Sequence, residues 1–252
     1  QPGHVAVVLR GEPGAGKSFL ANCVGQLLGR HYLHVSDPKF LVGSFNAHLR
    51  DCVLMLGDEA FWAGDKKHES VLKQLITEKM IAIEAKGIDM TAGRNCVHLI
   101  MASNEEWVVP VGYKDRRFFV LDVSSNRRVD RAYFAAIDKQ FQNGGKEALL
   151  HYLLNYDLTG FDVRKPPETK ALVEQKEQSL SIIEAWWKEK LDDGRLIEES
   201  TKWGSVLCGE LAYDYVQHAR SVGRGGGGGP VALGRFLKKI CPGLAKHRLG
   251  TK

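Results

Sequence analysis

A parallel β-sheet flanked by helices, an α/β fold, is the architecture this sequence predicts, and three observations predict it. Short apolar runs alternate with stretches of helical character along the first half of the chain, the pattern of βαβ units. The first run, Val5-Ala6-Val7-Val8-Leu9, passes straight into the glycine-rich segment Gly11-Glu12-Pro13-Gly14-Ala15-Gly16-Lys17-Ser18. Two later runs end in polar residues, Asp58-Glu59 and Ser103-Asn104, as strands do whose carboxyl ends open onto a ligand crevice.

The elements follow in order. After the buried strand at 5–9 comes a complete G-x-x-x-x-G-K-S phosphate loop. Its glycines let successive backbone N–H groups turn toward phosphate oxygens, and the helix opening near Lys17 adds its positive dipole end. The pattern assigns nucleoside triphosphate binding to Gly11, Pro13, Gly14, Ala15, Gly16, Lys17 and Ser18, with Lys17 reaching the β- and γ-phosphates and Ser18 holding Mg²⁺. Phe19 to Leu28 continues as an amphipathic helix, and Tyr32-Leu33-His34-Val35 is the second strand. Cys52-Val53-Leu54-Met55-Leu56 is the third and runs into Gly57-Asp58-Glu59. A carboxylate pair there suits Mg²⁺-dependent hydrolysis, with Asp58 organising the metal's water shell and Glu59 polarising the attacking water. A solvated turn is the plainer reading of the pair taken alone.

Leu72 to Lys79 reads as a helix. Met80 to Met90 alternates apolar and polar residues about Lys86-Gly87, as a β-hairpin turning near the glycine does. A lysine near such a tip is placed to touch a phosphate backbone; a solvated hairpin is the alternative. The fourth strand, Val97 to Ala102, delivers Ser103-Asn104 to its end. There Asn104 faces the γ-phosphate or the attacking water, unless the pair caps a helix. Asp115-Arg116-Arg117 precedes the fifth strand, Phe118 to Val123. A guanidinium at that point is either a surface group or one that neutralises charge on a transferring phosphoryl.

In the last third, Asp162 to Glu168 with its Pro166-Pro167 pair reads as a linker. Leu172 to Leu191 reads as one helix in which Trp186 and Trp187 pack, and Leu211 to Arg220 and Leu233 to Ile240 as two more. Five glycines at 225–229 join these last two as a flexible connection. From Pro230 onward Arg235, Lys238, Lys239, Lys246, Arg248 and Lys252 occur without an Asp or Glu. That bias is an electrostatic footprint for a nucleic-acid backbone, or else a solvated basic surface. The expected domains are an NTPase core at 1–160, a linker and helix at 161–195, and a small winged-helix-like DNA-binding domain at 196–252.

Composition narrows the function classes. At 252 residues, 44% hydrophobic and 26% charged, the chain can bury one good core and carry a small extra domain. No apolar run approaches the roughly 18 residues of a membrane span, and no signal-peptide pattern precedes the phosphate loop. A cytoplasmic protein with no membrane partner is expected. The five cysteines lie far apart with no C-x-x-C pair and read as reduced core residues. The nine histidines offer no H-E-x-x-H pattern and no i, i+4 pair for zinc. A net charge of +5 says little by itself.

As a set, the motifs resemble the superfamily 3 helicases of the AAA+ class, and in particular the helicase part of phage and satellite-phage primase-helicases. The resembling segments are GEPGAGKS (11–18), LMLGDEA (54–60), LKQLITEKMIAIEAKG (72–87), LIMASNE (99–105) and DRRFFVLDV (115–123), with 166–187 and 232–250 similar to the tail of the same proteins. The resemblance implies an AAA+-type P-loop NTPase with Lys17 and Ser18 as Walker A, Asp58 and Glu59 as Walker B and Asn104 as sensor 1. It also implies Lys86 as the DNA-translocating hairpin residue and Arg116 or Arg117 as an arginine finger. ATP and Mg²⁺ are the implied ligands, single-stranded or forked DNA the implied partner, and a homo-oligomeric ring of hexamer type the implied assembly. The chain opens just before its first core strand, as a piece of a longer polypeptide would, and the resemblance implies a primase-polymerase domain upstream. The function expected is an ATP-dependent DNA helicase motor in a bacterial host or phage-infected cell. The competing expectation is a nucleotide-switched initiator or loader that binds DNA without processive unwinding.

Overall fold

The computed structural model describes residues 1–59, 66–197, 203–222 and 228–245, with main chain alone at 66 and 67. The first of two units, Gln1–Gln178, runs β1 (Ala6–Arg10), α1 (Lys17–Gln26), β2 (Tyr32–Val35), α2 (Pro38–Val42), β3 (Leu54–Asp58) and α3 (Lys66–Thr77). It continues through β4 (Met80–Ala85), β5 (Ile88–Arg94), β6 (His98–Ser103), β7 (Phe118–Asp122), α4 (Arg131–Gln140), α5 (Lys146–Leu154) and α6 (Lys170–Gln178). The second unit, Ser179–Lys252, contains α7 (Ile182–Asp193), α8 (Cys208–Ser221) and α9 (Pro230–Ile240).

Five strands form one parallel sheet in the order β2-β3-β6-β1-β7. Alternation at a period of two sends neighbouring residues to opposite faces, and the sequence fills both. Met55, Leu99, Met101, Val8, Phe118 and Val120 share a core with Leu41 and Val42 of α2, Leu72, Leu75 and Ile76 of α3, and Leu172 of α6. Leu56 and Ala102, one residue along, pack instead with Ala21 of α1. Helices therefore cover both faces, which is why these strands read as continuous apolar runs. Each fully buried Leu, Met or Phe contributes about 1.5–3 kcal/mol relative to exposure.

The β4–β5 hairpin stands apart as a two-stranded antiparallel sheet, with Ala85 opposite Ile88 and Met80 opposite Arg94. Its turn is Lys86-Gly87, and Gly87 has φ +75°, a left-handed value that a side chain would strain. Asn46, in the loop before β3, holds the outer edge of β4. Its side chain donates to the Ala82 carbonyl at 2.8 Å and accepts from the Glu84 N–H at 2.8 Å, and its own N–H donates to the Glu84 carbonyl at 3.0 Å.

The stretch expected as one helix from 172 to 191 is two. Ser181 ends any continuation from α6 by capping α7: its Oγ accepts from the Glu184 N–H, and the Glu184 carboxylate accepts from the Ser181 N–H at 2.9 Å. On the α6 side, fully buried Gln175 accepts from the N–H groups of Val108 and Val109 at 2.7 and 3.1 Å and donates to the Glu106 carbonyl at 2.5 Å. In the second unit Trp186, Tyr215, Leu233 and Leu237 form the core, with Trp187 partly buried against it. Asp214 accepts there from the Trp186 indole at 2.7 Å and pairs with Lys190 at 2.8 Å. No strand is described in this unit, so the expected wing has no counterpart among the described residues.

The cysteines fit the expectation only in part. All five are free, but only Cys23 and Cys52 are buried, while Cys208 is exposed because it opens the first turn of α8. Burial pushes the Cys52 thiol up to about 12, which keeps it a thiol rather than a thiolate. No described helix is long and apolar enough to cross a membrane.

Candidate active site

The parallel sheet puts the carboxyl ends of β1, β3 and β6 side by side, since Leu56 pairs with Ile100, Asp58 with Ala102 and Arg10 with Ser103. A cleft of about 540 Å³ opens at that edge, lined by Pro13, Gly14, Gly16, Lys17, Ser18, Phe19, Ser36, Asp58, Glu59, Asn104 and Phe134. Residues from three separate sequence motifs thus meet in one place. Of the phosphate loop Gly11, Glu12 and Ala15 fall outside the lining; Ala15 is buried beneath it, and the Gly11 and Glu12 carbonyls accept from Lys17.

The loop's shape depends on glycine. Gly11, Gly14 and Gly16 have φ of +157°, +80° and +97°. A Cβ at Gly16 would lie 2.7 Å from the Phe134 ring, and one at Gly11 the same distance from the Val123 carbonyl. Lys17 is buried and donates to the carbonyls of Gly11 and Glu12 at 2.7 and 3.0 Å and to Asn104 Oδ1 at 2.7 Å. Burial lowers the pKa of its ammonium, and the carboxylates of Glu59 and Asp58 oppose that shift.

Asp58 ends β3, and its Oδ2 lies 3.1 Å from His34 Nε2 on the neighbouring strand. Glu59, the next residue, has left-handed φ of 55°. Its carboxylate accepts from the Asn104 N–H at 2.9 Å and the Ser103 hydroxyl at 3.3 Å, and its N–H donates to the Ala102 carbonyl at 2.9 Å. The end of β6 therefore fixes Glu59 from three sides, and Asn104 touches both Glu59 and Lys17. Arg10, at the end of β1, holds β7 and α6 beside this edge through Asp122 at 2.6 Å and Glu174 at 2.5 Å. Those two carboxylates, Asp122 foremost, raise the Arg10 pKa.

The segment after β7 completes the cleft without any motif to announce it. Arg128 donates to the Pro13 carbonyl at 3.1 Å and pairs with Glu12 at 2.8 Å, and the Val129 N–H donates to the Gly14 carbonyl at 3.1 Å. Phe134 on α4 packs edge-on to Phe19 with centroids 5.2 Å apart, giving the cleft an aromatic wall. Ser18 and Asp58 supply a hydroxyl and a carboxylate on the same cleft, hard oxygen donors of the kind Mg²⁺ takes.

Other expected residues lie elsewhere. Lys86 is exposed at the hairpin turn. Arg116 and Arg117 precede β7 at the amino ends of the strands, whereas the cleft lies at the carboxyl ends; Arg116 is exposed and Arg117 pairs with Asp115 at 2.9 Å. On α9, Arg235, Lys238 and Lys239 are exposed while Leu233 and Leu237 face the second unit's core. Lys246, Arg248 and Lys252 fall outside the described residues.

A model of a family of unknown function, DUF5906, matches residues 9–117, which is less than half of the chain. No characterised protein sequence matches the chain. Among solved structures, the apo NrS-1 C-terminal region aligns with a TM-score of 0.64 and 21% identity over 78% of this chain and 49% of that one. A second form of the same region aligns at 0.62 and 20%, over 76% and 46%. The chain thus spans about half the length of these structures and shares their fold. A JCV helicase aligns at a TM-score of only 0.39 with 15% identity, covering 77% of this chain and 57% of that one.

Proposed function

We propose that this chain is an ATP-dependent DNA helicase motor of a phage or mobile-element primase-helicase, acting as a ring on single-stranded DNA. The observation that carries the reading is the meeting of Lys17, Ser18, Asp58, Glu59 and Asn104 in one cleft, with a lysine-tipped hairpin inserted between α3 and β6 of the same unit. The fold shared with the NrS-1 region is consistent with it.

On this reading the N–H groups of 14–18 cradle the triphosphate, and Lys17 exchanges the Asn104 oxygen for phosphate oxygens. Mg²⁺ held by Ser18 and Asp58 would neutralise charge on the β- and γ-phosphates. Glu59 accepts a proton from the attacking water, and Asn104, released from Lys17, orients the γ-phosphate or that water. Arg116 or Arg117 reaches the cleft of a second copy, since within one copy both lie at the amino ends of the strands and the cleft at their carboxyl ends. Lys86 grips the strand that hydrolysis moves, and Arg235, Lys238, Lys239, Lys246 and Arg248 hold DNA outside the motor. The domain plan of an NTPase core followed by a small winged-helix-like DNA-binding domain belongs to the same proposal.

ATP hydrolysis measured with and without single-stranded DNA, alongside strand displacement on a forked duplex, tests the reading. DNA-stimulated hydrolysis coupled to displacement is the expected result. Stimulation without displacement would move the chain to the initiator or loader class, and hydrolysis indifferent to DNA would overturn both.

A further inference from the structure

A second cleft, of about 280 Å³, opens where the chain leads into β1 and β6, at the amino ends of strands whose carboxyl ends bear the nucleotide cleft. Its lining includes His4, Lys79, Arg94 and Arg164 and contains no carboxylate. Among the described residues Lys79, Arg94 and Arg164 make no ion pair. Burial holds His4 below its ordinary pKa, and Arg164 and Lys79 push it in the same direction, so the positive field reaches the imidazole.

The frame beneath these cations is fixed. Asn95 is fully buried, donates through its amide to the carbonyls of Leu75 and Glu78 at 2.8 Å each, and accepts from the Val97 N–H at 3.0 Å. Its own N–H donates to the Lys79 carbonyl at 2.9 Å, and the His4 N–H donates to the Ile76 carbonyl at 2.9 Å. Carbonyls at the carboxyl end of α3, which would otherwise present negative potential, are consumed by these bonds. The exposed charge that remains at the cleft is positive.

We propose that this cleft is a phosphoryl-binding site separate from the nucleotide cleft, with Lys79, Arg94 and Arg164 as its cations and the neutral His4 imidazole as a hydrogen-bonding group beside them. Its position favours the phosphodiester of a nucleic-acid strand over free phosphate as the source. Lys79 and Arg94 flank the base of the hairpin whose turn carries Lys86, and a six-residue strand spans roughly 20 Å. A strand lying along the hairpin would therefore meet positive charge at both ends. The site rests on phosphate chemistry at these four residues and stands whether or not the chain unwinds DNA.

Arg94→Ala combined with Arg164→Ala tests it, since both side chains are exposed and their loss leaves the core intact. An unchanged thermal midpoint and unchanged ATP binding serve as controls. A fluorescent oligothymidylate is titrated over a salt series without nucleotide, and inorganic phosphate is titrated while the His4 ring is followed by NMR. With a strand as the ligand, the log–log salt slope falls by roughly 0.7 per lost contact, about 1.4 for the pair. A lost His4 response to phosphate with unchanged oligothymidylate binding would assign the same site to free phosphate. If neither measurement changes, the site is overturned. A failed strand-displacement assay beside a reduced salt slope would remove the motor and leave this site standing.

Discussion

At the scale of the residue, Glu59 is held closely at the cleft formed by the carboxyl ends of β1, β3 and β6. Its left-handed backbone costs about 1–2 kcal/mol for a residue with a Cβ, a strain maintained by three hydrogen bonds to the end of β6. Glu59→Gln should keep that geometry and nucleotide affinity while hydrolysis falls roughly 10²–10⁴-fold. Lys17→Ala should do the reverse at the first step and weaken binding itself. Equilibrium binding of a labelled ATP analogue and steady-state phosphate release separate the two outcomes; normal turnover by Glu59→Gln would remove Glu59 from the chemistry. Lys17 and Ser18 were legible in the sequence from the phosphate-loop pattern, and Asp58, Glu59 and Asn104 because each follows closely on an apolar run. His34, Arg128 and Phe134 were not, because tertiary packing alone brings them to Asp58 and to the loop.

At the scale of the element, the hairpin depends on a residue outside it. Asn46 supplies three hydrogen bonds to β4, and Ile83 is the hairpin's one buried large apolar side chain among the described residues. Asn46→Ala should loosen the hairpin by about 1–3 kcal/mol, visible as faster amide exchange over 80–85, and should blunt DNA stimulation of hydrolysis while sparing the basal rate. Lys86→Ala should give the same loss of stimulation with amide exchange unchanged, because it removes the charge and leaves the fold. Retained stimulation in Lys86→Ala would return the hairpin to a solvated role. The hairpin itself was legible from its alternation and its Lys86-Gly87 turn, whereas the Asn46 brace is a non-local contact, made mainly by its side chain, with no local signature. The break between α6 and α7 did have a signature: Ser181 and Glu184 stand three apart, as a capping box requires. Helical spacing on either side of it hid the stop. Ser181→Ala should lower second-unit stability by about 0.5–2 kcal/mol, read from its thermal unfolding.

At the scale of the whole molecule, the strands were legible one by one but their order was not. Apolar runs fix that a strand is buried, while pairing is decided by crossovers that no residue pattern encodes. The parallel direction of β7 beside β1 places Arg116 and Arg117 at the amino ends of the strands, away from the cleft of their own copy at the carboxyl ends. Arg116→Ala should therefore be almost inactive alone, by a factor of about 10³–10⁵, although its own phosphate loop is intact. Mixing it with Lys17→Ala should restore part of the activity, at interfaces that join one intact loop to one intact arginine. No recovery in preparations verified to contain mixed oligomers would restrict Arg116 to a role within its own copy, and Arg117 would be tested next.

The interior place of β1, between β6 and β7, also governs how the chain comes off the ribosome. Residues 6–10 are made well before their two partners, β6 and β7, at 98–103 and 118–122. At ordinary rates of synthesis the intervening chain takes about 5–20 s to emerge, and until then Val7, Val8 and Leu9 form an unpaired apolar edge. Nascent chains of this protein should accordingly lean on chaperones until β7 is complete. A fragment ending at 117 should lack a cooperative thermal transition, whereas one ending at 178 should show it.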